Sequence, residues 1–326
     1  MANTSSDQIR ELQEIVRCVQ MFFGQQKTQR QIALALGIQQ SKVSRLLKRA
    51  RDEGFYSIEF EFPALVEIAA RLIDRYQLRD AVVIPTGEAA YLKKDLGRAA
   101  ARYFERVVHD GARVGLSCGN TLFHFVEQLR AGPRNIHIYP LAAETSLKFV
   151  DISFNTLVGV MTAKYRPTAT GYALPAYLLN QSEASGRAIF EDRQVKKIFN
   201  DSLKVDIAIV GIGALDAANP GFCELAARAG ILPKKLESLG VIGEFNHQPF
   251  DKKGSQAAAQ PIATLMRHFI GMSLEELAAM SQQRGRLVVA LAGGHQKKEA
   301  VRGALNGTLF NVLVTDMDTA SYLLMA

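Results

Sequence analysis

Between Lys27 and Arg51 the chain has seven basic residues, Lys27, Arg30, Lys42, Arg45, Lys48, Arg49 and Arg51, and no acidic one. Unopposed cations at that density call for a polyanion, because each one that neutralises a nucleic-acid phosphate releases a condensed counterion. Interleaved with them, Gln39, Gln40, Ser41 and Ser44 carry amide and hydroxyl groups of the kind that hydrogen-bond base edges in a major groove. The pattern assigns Gln39, Gln40, Ser41, Lys42, Ser44 and Arg45 to such a groove, and Lys48, Arg49 and Arg51 to phosphates. A solvated basic helix on any ordinary domain would carry the same charge. What separates the two readings is the local architecture around the charge.

That architecture reads as two short helices joined by a tight turn. Thr28 and Gln31 have the spacing of a capping box, so a helix begins near Arg30. Ile32, Ala33 and Leu36 form its apolar stripe and Gly37 stops it. In the second helix Val43, Leu46, Leu47 and Ala50 turn inward, Ser41, Arg45 and Lys48 face out, and Gly54 ends the run. An earlier helix, Asp7 to Phe23, offers Ile9, Leu12, Val16, Val19 and Phe23 to the same small core. Tyr56 to Phe62 alternates like a half-buried strand. Pro63 closes it, and Ala64 to Tyr76 returns to helical period with Leu65, Ile68, Ala69 and Leu72 as the adhesive face of a linker or oligomer contact.

A second constellation lies further on. Ser117, Gly119, Asn120 and Thr121 join an apolar run to a helix start with small side chains, hydroxyls and backbone amides, a chemistry suited to holding a phosphate. Gly211 and Gly213 follow another apolar run, and Gly293 and Gly294 with Lys297 follow a third. One glycine at a strand end is ordinarily a turn. Three such ends, one with a lysine, point to a phosphorylated small molecule, and Asp316 stands ready either as a base or as a partner for a ligand hydroxyl.

No Ser/His/Asp set, paired carboxylates, metal cluster or GxxxxGK[ST] loop occurs. The six histidines, His109, His124, His137, His247, His268 and His295, show no ligand spacing. Lys148 has the amine for a Schiff base with an open-chain sugar, but nothing beside it would lower its pKa. The sequence thus calls for no catalytic residue, metal or cofactor.

From Asp80 onward, strand and helix patterns alternate. The strand candidates are 81–84, 113–116, 136–141, 205–210, 239–242, 287–291 and 312–314. The helix candidates are 92–108, 122–129, 152–164, 192–203, 299–305 and 319–325. Solid apolar strands alternating with helices make a doubly wound, mostly parallel α/β sheet, whose ligands bind beyond the carboxyl ends of the strands. At 326 residues more than one core is expected. The division falls as 1–62 for the helix-turn-helix, 63–78 for the linker or oligomerisation helix and 79–326 for the ligand domain.

Composition is that of a soluble protein, with 48% hydrophobic and 22% charged residues and a net charge of +7. No apolar run is long enough for a bilayer, the N-terminus is polar where a signal peptide would be apolar, and Cys18, Cys118 and Cys223 lie far apart. The expectation is a cytoplasmic protein with reduced thiols and no membrane partner.

TQRQIALALGIQQSKVSRLLKRARDEG, DLGRAAARYFERVVHDGARVGLSCGNTL, VDIAIVGIGAL and LAGGHQKKEAVRGALNGTLFNVLVTDMDTASYLL, in that order, resemble the SorC family of sugar-binding transcriptional regulators, and together they cover nearly the whole chain. The resemblance implies an effector domain of the sugar-phosphate isomerase and deaminase fold type that binds a sugar or phosphosugar without turning it over. It also implies homo-oligomers, dimers or tetramers, on double-stranded operator DNA. Carried over by position, the phosphate loop falls on Ser117, Gly119, Asn120 and Thr121, the Gly-Gly-x-x-Lys on Gly293, Gly294 and Lys297, and the pocket acid on Asp316. Two positions depart: Gln39 stands where the family often has Ser, and Asn120 where it often has Arg. The second removes a positive charge, which widens the expected effectors to singly phosphorylated sugars and polyols. The rivals are a sugar-phosphate isomerase or deaminase with a DNA-binding head, recognised by turnover, and a DNA-binding scaffold with an empty pocket, recognised by no response to any metabolite.

Overall fold

The computed structural model describes residues 6–52, 63–144, 150–178, 188–189, 191–215, 221–228, 230–267 and 269–325. The expected strand Tyr56 to Phe62, the helix stop at Gly54, Lys148 and His268 lie outside them. The chain divides into two compact units, residues 1–61 and 62–326.

In the first unit, α1 (Ser6–Val19) runs into a π-helical turn (Gln20–Gly24), followed by α2 (Gln29–Leu36) and α3 (Gln40–Asp52). Thr28 and Gln31 close the expected capping box on α2, and Gly37 ends it at φ +65°, where its N–H donates to Ala33 and Leu34 carbonyls. A left-handed residue at that point favours glycine, which lacks the Cβ that makes this conformation costly. The core is Ile15, Cys18, Ile32, Ala33, Val43, Leu46, Leu47 and Ala50. On α1 the buried stripe therefore differs from the expected one. Val19 packs against the core as expected, but Ile15 and Cys18 are the residues that face inward, with Cys18 packing as a small hydrophobe, whereas Val16 and Phe23 are exposed and the Ile9 side chain lies outside the described residues. Thr28→Ala is expected to cost α2 about 1 kcal/mol, read as faster amide hydrogen exchange in residues 29–36 of the full chain while the second unit is unchanged.

The second unit is built on a sheet in the order β1-β9-β8-β5-β2-β3-β4, every neighbour parallel. The strands are β1 (Asp80–Ile84), β2 (Arg113–Leu116), β3 (His137–Pro140), β4 (Thr170–Gly171), β5 (Ile207–Ala214), β8 (Leu287–Leu291) and β9 (Val312–Asp316). A short hairpin, β6 (Gly243–Phe245) and β7 (Gln248–Phe250), pairs antiparallel with the far end of β5. Side chains alternate between the two faces, so each strand feeds two cores. Ala208, Val210, Val288 and Ala290 enter one, with α4 (Pro63–Tyr76) and the helices Leu274–Gln282, Lys298–Asn306 and Met317–Met325. Ile207, Ile209, Val289 and Leu291 enter the other, with α5 (Leu92–Val107), α6 (Asn120–Gln128) and α7 (Phe154–Lys164). A strand buried on both faces needs apolar residues at every position, which is why the sequence shows solid runs.

Leu65, Ala69 and Leu72 of α4 are buried in the first of these cores, so that face is used within the unit. On the opposite face α5 and α6 approach closely enough that a Cβ at Gly97 would stand 2.7 Å from the His124 backbone. Phe104 meets Phe125 edge to face at 5.6 Å across the same contact.

Several elements differ from expectation. β5 does not stop at Val210 but continues through Gly211 and Gly213, so these glycines lie in a strand rather than a turn. Leu239 to Ile242 is not a strand; Leu239 follows the helix Pro233–Ser238, and strand geometry begins at Gly243. The short helices Gly221–Arg228, Gln260–Met266 and Leu274–Gln282 had no expected counterpart.

Candidate functional site

Chain direction fixes where a ligand can sit. From β2 the chain moves outward to β3 and β4, then returns to the other side of β2 for β5, β8 and β9, so the order reverses between β2 and β5. At such a switch point the connections leave the carboxyl ends on opposite faces and open a crevice. The residues on its two walls are Ser117 to Thr121 after β2 and Gly211 to Gly213 in β5.

Ser117 is buried; its N–H donates to the Ile209 carbonyl at 3.0 Å and its Oγ donates to Asn246 Oδ1 at 3.0 Å. Gly119, at φ +114°, precedes α6. Its amide donates to the Ile152 carbonyl at 3.1 Å and so is turned inward, away from a ligand. The amides at the start of α6, from Asn120 onward, have no acceptor within the helix and sit at its positive end. Asn120 is exposed and Thr121 buried.

Gly211 keeps β5 close to Leu122, and a Cβ on Gly213 would collide with the Glu244 carboxylate. Lys297 is half-buried and donates from Nζ to the Ile212 carbonyl at 2.6 Å. Burial pushes its pKa down to about 8, against the attraction of Glu244 and with help from Lys93. Gly293 leaves room for Asp316, whose Oδ1 would lie 2.7 Å from a Cβ there. The Gly294 amide donates to Asp316 Oδ1 at 3.0 Å and to Thr319 Oγ1 at 3.1 Å, and Thr86 Oγ1 donates to Asp316 Oδ2 at 3.3 Å. Asp316 thus fastens three strand ends together, with both oxygens engaged.

Sequence reasoning missed a second group of pocket residues, brought in by the hairpin and by β3. His247 Nε2 lies 3.0 Å from Cys118 Sγ, and the His247 amide donates to Glu244 Oε2 at 2.7 Å. Burial lowers the imidazole pKa, opposed by Glu244. Burial, with Glu244 and Glu144 nearby, raises the Cys118 thiol well above its ordinary range. At neutral pH both partners are uncharged. Glu144, just past β3, accepts the Asn155 amide at 2.8 Å through Oε1. Its Oε2 and His247 Nδ1 are buried and have no protein partner. Buried polar atoms without partners are costly, and a ligand that supplies them is stabilised accordingly. The one local signal was Asn246-His247 between GEF and QPF, a two-residue turn pattern between short strands. Among the described residues no cluster of His, Cys, Asp or Glu is placed to hold a metal ion.

In the first unit Gln39, Gln40, Ser41, Ser44, Arg45 and Lys48 are exposed along α3. Arg45 Nε also donates to the Ser41 carbonyl at 3.4 Å. Lys42 and Arg49 are different. Lys42 Nζ pairs with Glu14 Oε2 and Arg49 Nη1 with Glu11 Oε1, each at 2.6 Å. The hydrogen bond from Arg49 and its charge hold the Glu11 carboxyl below the usual carboxylate range. The Arg51 side chain lies outside the described residues.

A doubly wound sheet with a polar crevice at its switch point, preceded by a helix-turn-helix, defines a ligand-responsive DNA-binding regulator. Residues 61–325 match the family model described as "Putative sugar-binding domain", and the chain belongs to that family. It is 27% identical to the deoxyribonucleoside regulator of Bacillus subtilis, over 95% of this chain and 97% of that protein. It is 27% identical to the sorbitol operon regulator of Klebsiella pneumoniae, over 98% and 99%. The crystal structure of the full-length sorbitol operon regulator SorC from Klebsiella pneumoniae matches with a TM-score of 0.77 at 26% identity, covering 98% of this chain and 100% of that one. The relatives are transcriptional regulators, which supports the SorC resemblance and decides against the isomerase or deaminase alternative. This chain is a transcriptional regulator with a sugar-binding domain, not an enzyme. Among the described residues no helix is long and apolar enough to cross a membrane.

Proposed function

We propose that the protein binds operator DNA in the bacterial cytoplasm as a homo-oligomer, and that a sugar phosphate in the crevice controls that binding. Gln39 and the α3 residues Gln40, Ser41, Ser44 and Arg45 enter the major groove, and Lys48 takes a phosphate. In the crevice the effector phosphate meets the start of α6, with Ser117, Gly119, Asn120 and Thr121 around it and Lys297 as its counter-charge. Gly211, Gly213, Gly293 and Gly294 keep the walls low, and Asp316 braces them. The sugar hydroxyls reach Glu144, Glu244 and His247. The observation that supports this reading is Lys297, its pKa lowered by burial and its Nζ bonded to Ile212 of the strand that lies against Leu122 of α6, together with the buried polar atoms Glu144 Oε2 and His247 Nδ1, which have no protein partner.

Control follows from linkage. An effector that prefers one arrangement of the subunits changes DNA affinity by the ratio of its affinities for the two arrangements, a coupling of about 1 to 3 kcal/mol. The test pairs two readouts on one variant. Arg45→Ala is expected to weaken retardation of the protein's own promoter fragment by about 1 to 3 kcal/mol, roughly five- to 150-fold. The thermal shift produced by a panel of pentose and hexose monophosphates should stay as in the unaltered protein. Equal damage to both readouts would mean unfolding, and a promoter complex indifferent to every sugar phosphate would refute the control.

A further inference from the structure

We propose that Glu11 and Glu14 set the specificity of the DNA-binding unit by keeping Lys42 and Arg49 off the phosphate backbone. This rests on the DNA reading above and concerns which cations take part in it. Lys42 and Arg49 are two helical turns apart and lie on one stripe of α3. At 3.6 residues per turn that stripe is about a quarter-turn from the exposed one of Ser41, Arg45 and Lys48. It therefore lies on the border between the exposed stripe and the core, with the Lys42 and Arg49 side chains 42% and 40% exposed. Glu11 and Glu14, on successive turns of α1, meet it at both ends, each pair closing at 2.6 Å. The later acid takes the earlier base and the earlier acid the later base, so the pairs tie the two ends of α3 to α1.

Charge counting along the sequence makes Lys42 and Arg49 equal to Arg45 and Lys48. The geometry does not. A cation already bonded to a carboxylate must give up that bond to neutralise a phosphate, and it leaves behind an uncompensated acid beside a polyanion. Sequence-independent affinity is almost wholly counterion release, whereas base reading depends on the groups of the exposed stripe. Removing two cations from the first term and none from the second lowers non-specific binding selectively. The discrimination ratio rises.

Fluorescence anisotropy of the full chain tests this with two double variants on a short duplex of unrelated sequence and on the promoter fragment. Glu11→Gln with Glu14→Gln frees the cations. It should tighten binding to the unrelated duplex and steepen its salt dependence by about two counterions, so that between about 0.05 and 0.2 M salt its affinity falls on the order of tenfold further than that of the unaltered protein. Lys42→Gln with Arg49→Gln should leave the salt slope of the unaltered protein in place. Loss of two counterions from the slope in this second variant would place Lys42 and Arg49 on phosphates and overturn the proposal. An unchanged slope in the glutamine-for-glutamate variant would also overturn it, reducing the ion pairs to a staple between helices. A protein that binds no duplex at any salt would instead remove the DNA reading, and this inference with it.

Discussion

Lys297→Met should abolish the thermal shift given by sugar phosphates while leaving retardation of promoter DNA by the effector-free protein intact. The substitution keeps the length of the side chain and removes its charge. Losing a charged hydrogen bond of this kind costs about 1.5 to 3 kcal/mol, roughly ten- to hundredfold in affinity. The unaltered protein carries a second signature of the same group. Its ammonium has a pKa near 8, below the ordinary 10.5, because burial disfavours the charge. A bound dianion favours the charge and raises that pKa again. Above about pH 8 phosphate binding must therefore take up a proton, and affinity should fall by up to tenfold per unit as the pH rises. Stability of the effector-free fold runs the other way. Between about 8 and 10.5 the unfolded chain holds the Lys297 proton and the folded one does not, so this group's penalty is full below pH 8 and fades as the pH rises to 10.5. Calorimetric titration between pH 7 and 9 checks the sign. Affinity that stays level across that window would take Lys297 out of the phosphate site.

The second large effect is expected at Asn246. Its Oδ1 accepts from Ser117, and its Nδ2 donates to the Leu141 and Met272 carbonyls at 3.3 and 3.1 Å. One side chain thus joins β2, the residue after β3, the segment before Leu274 and the hairpin. Asn246→Ala leaves the Ser117 hydroxyl in a dry site without its acceptor and puts alanine at φ +52°, where asparagine is better tolerated. We expect a loss of about 2 to 4 kcal/mol, seen as a Tm lower by roughly 5 to 15 °C. Asn246→Asp keeps the acceptor for Ser117 but sets a buried carboxylate oxygen against the Leu141 and Met272 carbonyls, so it should not recover the loss. A Tm within about 2 °C of the original for the alanine variant would show that these three hydrogen bonds are replaced from elsewhere.

Features governed by neighbours along the chain were legible in the sequence. The Thr28 capping box, the left-handed Gly37 and the buried stripe of α3 all follow from residues within one or two turns. β8 and β9 announce themselves because a strand covered on both faces has no polar position to blur the pattern. The pocket was half legible. Ser117, Gly119 and Lys297 were marked by residue type at strand ends, but Cys118, Glu144, Glu244 and His247 were not. Their roles exist only through distant pairings: Ser117 meets Asn246, and Cys118 meets His247, each across 129 positions. The sequence places Gly211 and Gly213 after a strand, and they lie within one. There they admit Leu122 and Glu244 against the strand. Helices of eight residues or fewer, such as Gly221–Arg228 and Gln260–Met266, carry too few turns for a period to declare itself.

The hairpin limits how this pocket can change. Asn246 and His247, both at positive φ, form its whole turn, and Phe245 stands opposite Gln248. β6 is pinned to β5 through Ile212 opposite Phe245, so an inserted or deleted residue would slide β7 by one place and reverse its faces. Gln248, whose amide group bonds the Met272 carbonyl and the Leu274 amide, would then point away from both. Divergence toward a new ligand is channelled into exchanges of side chain at Glu244 or His247, at constant loop length.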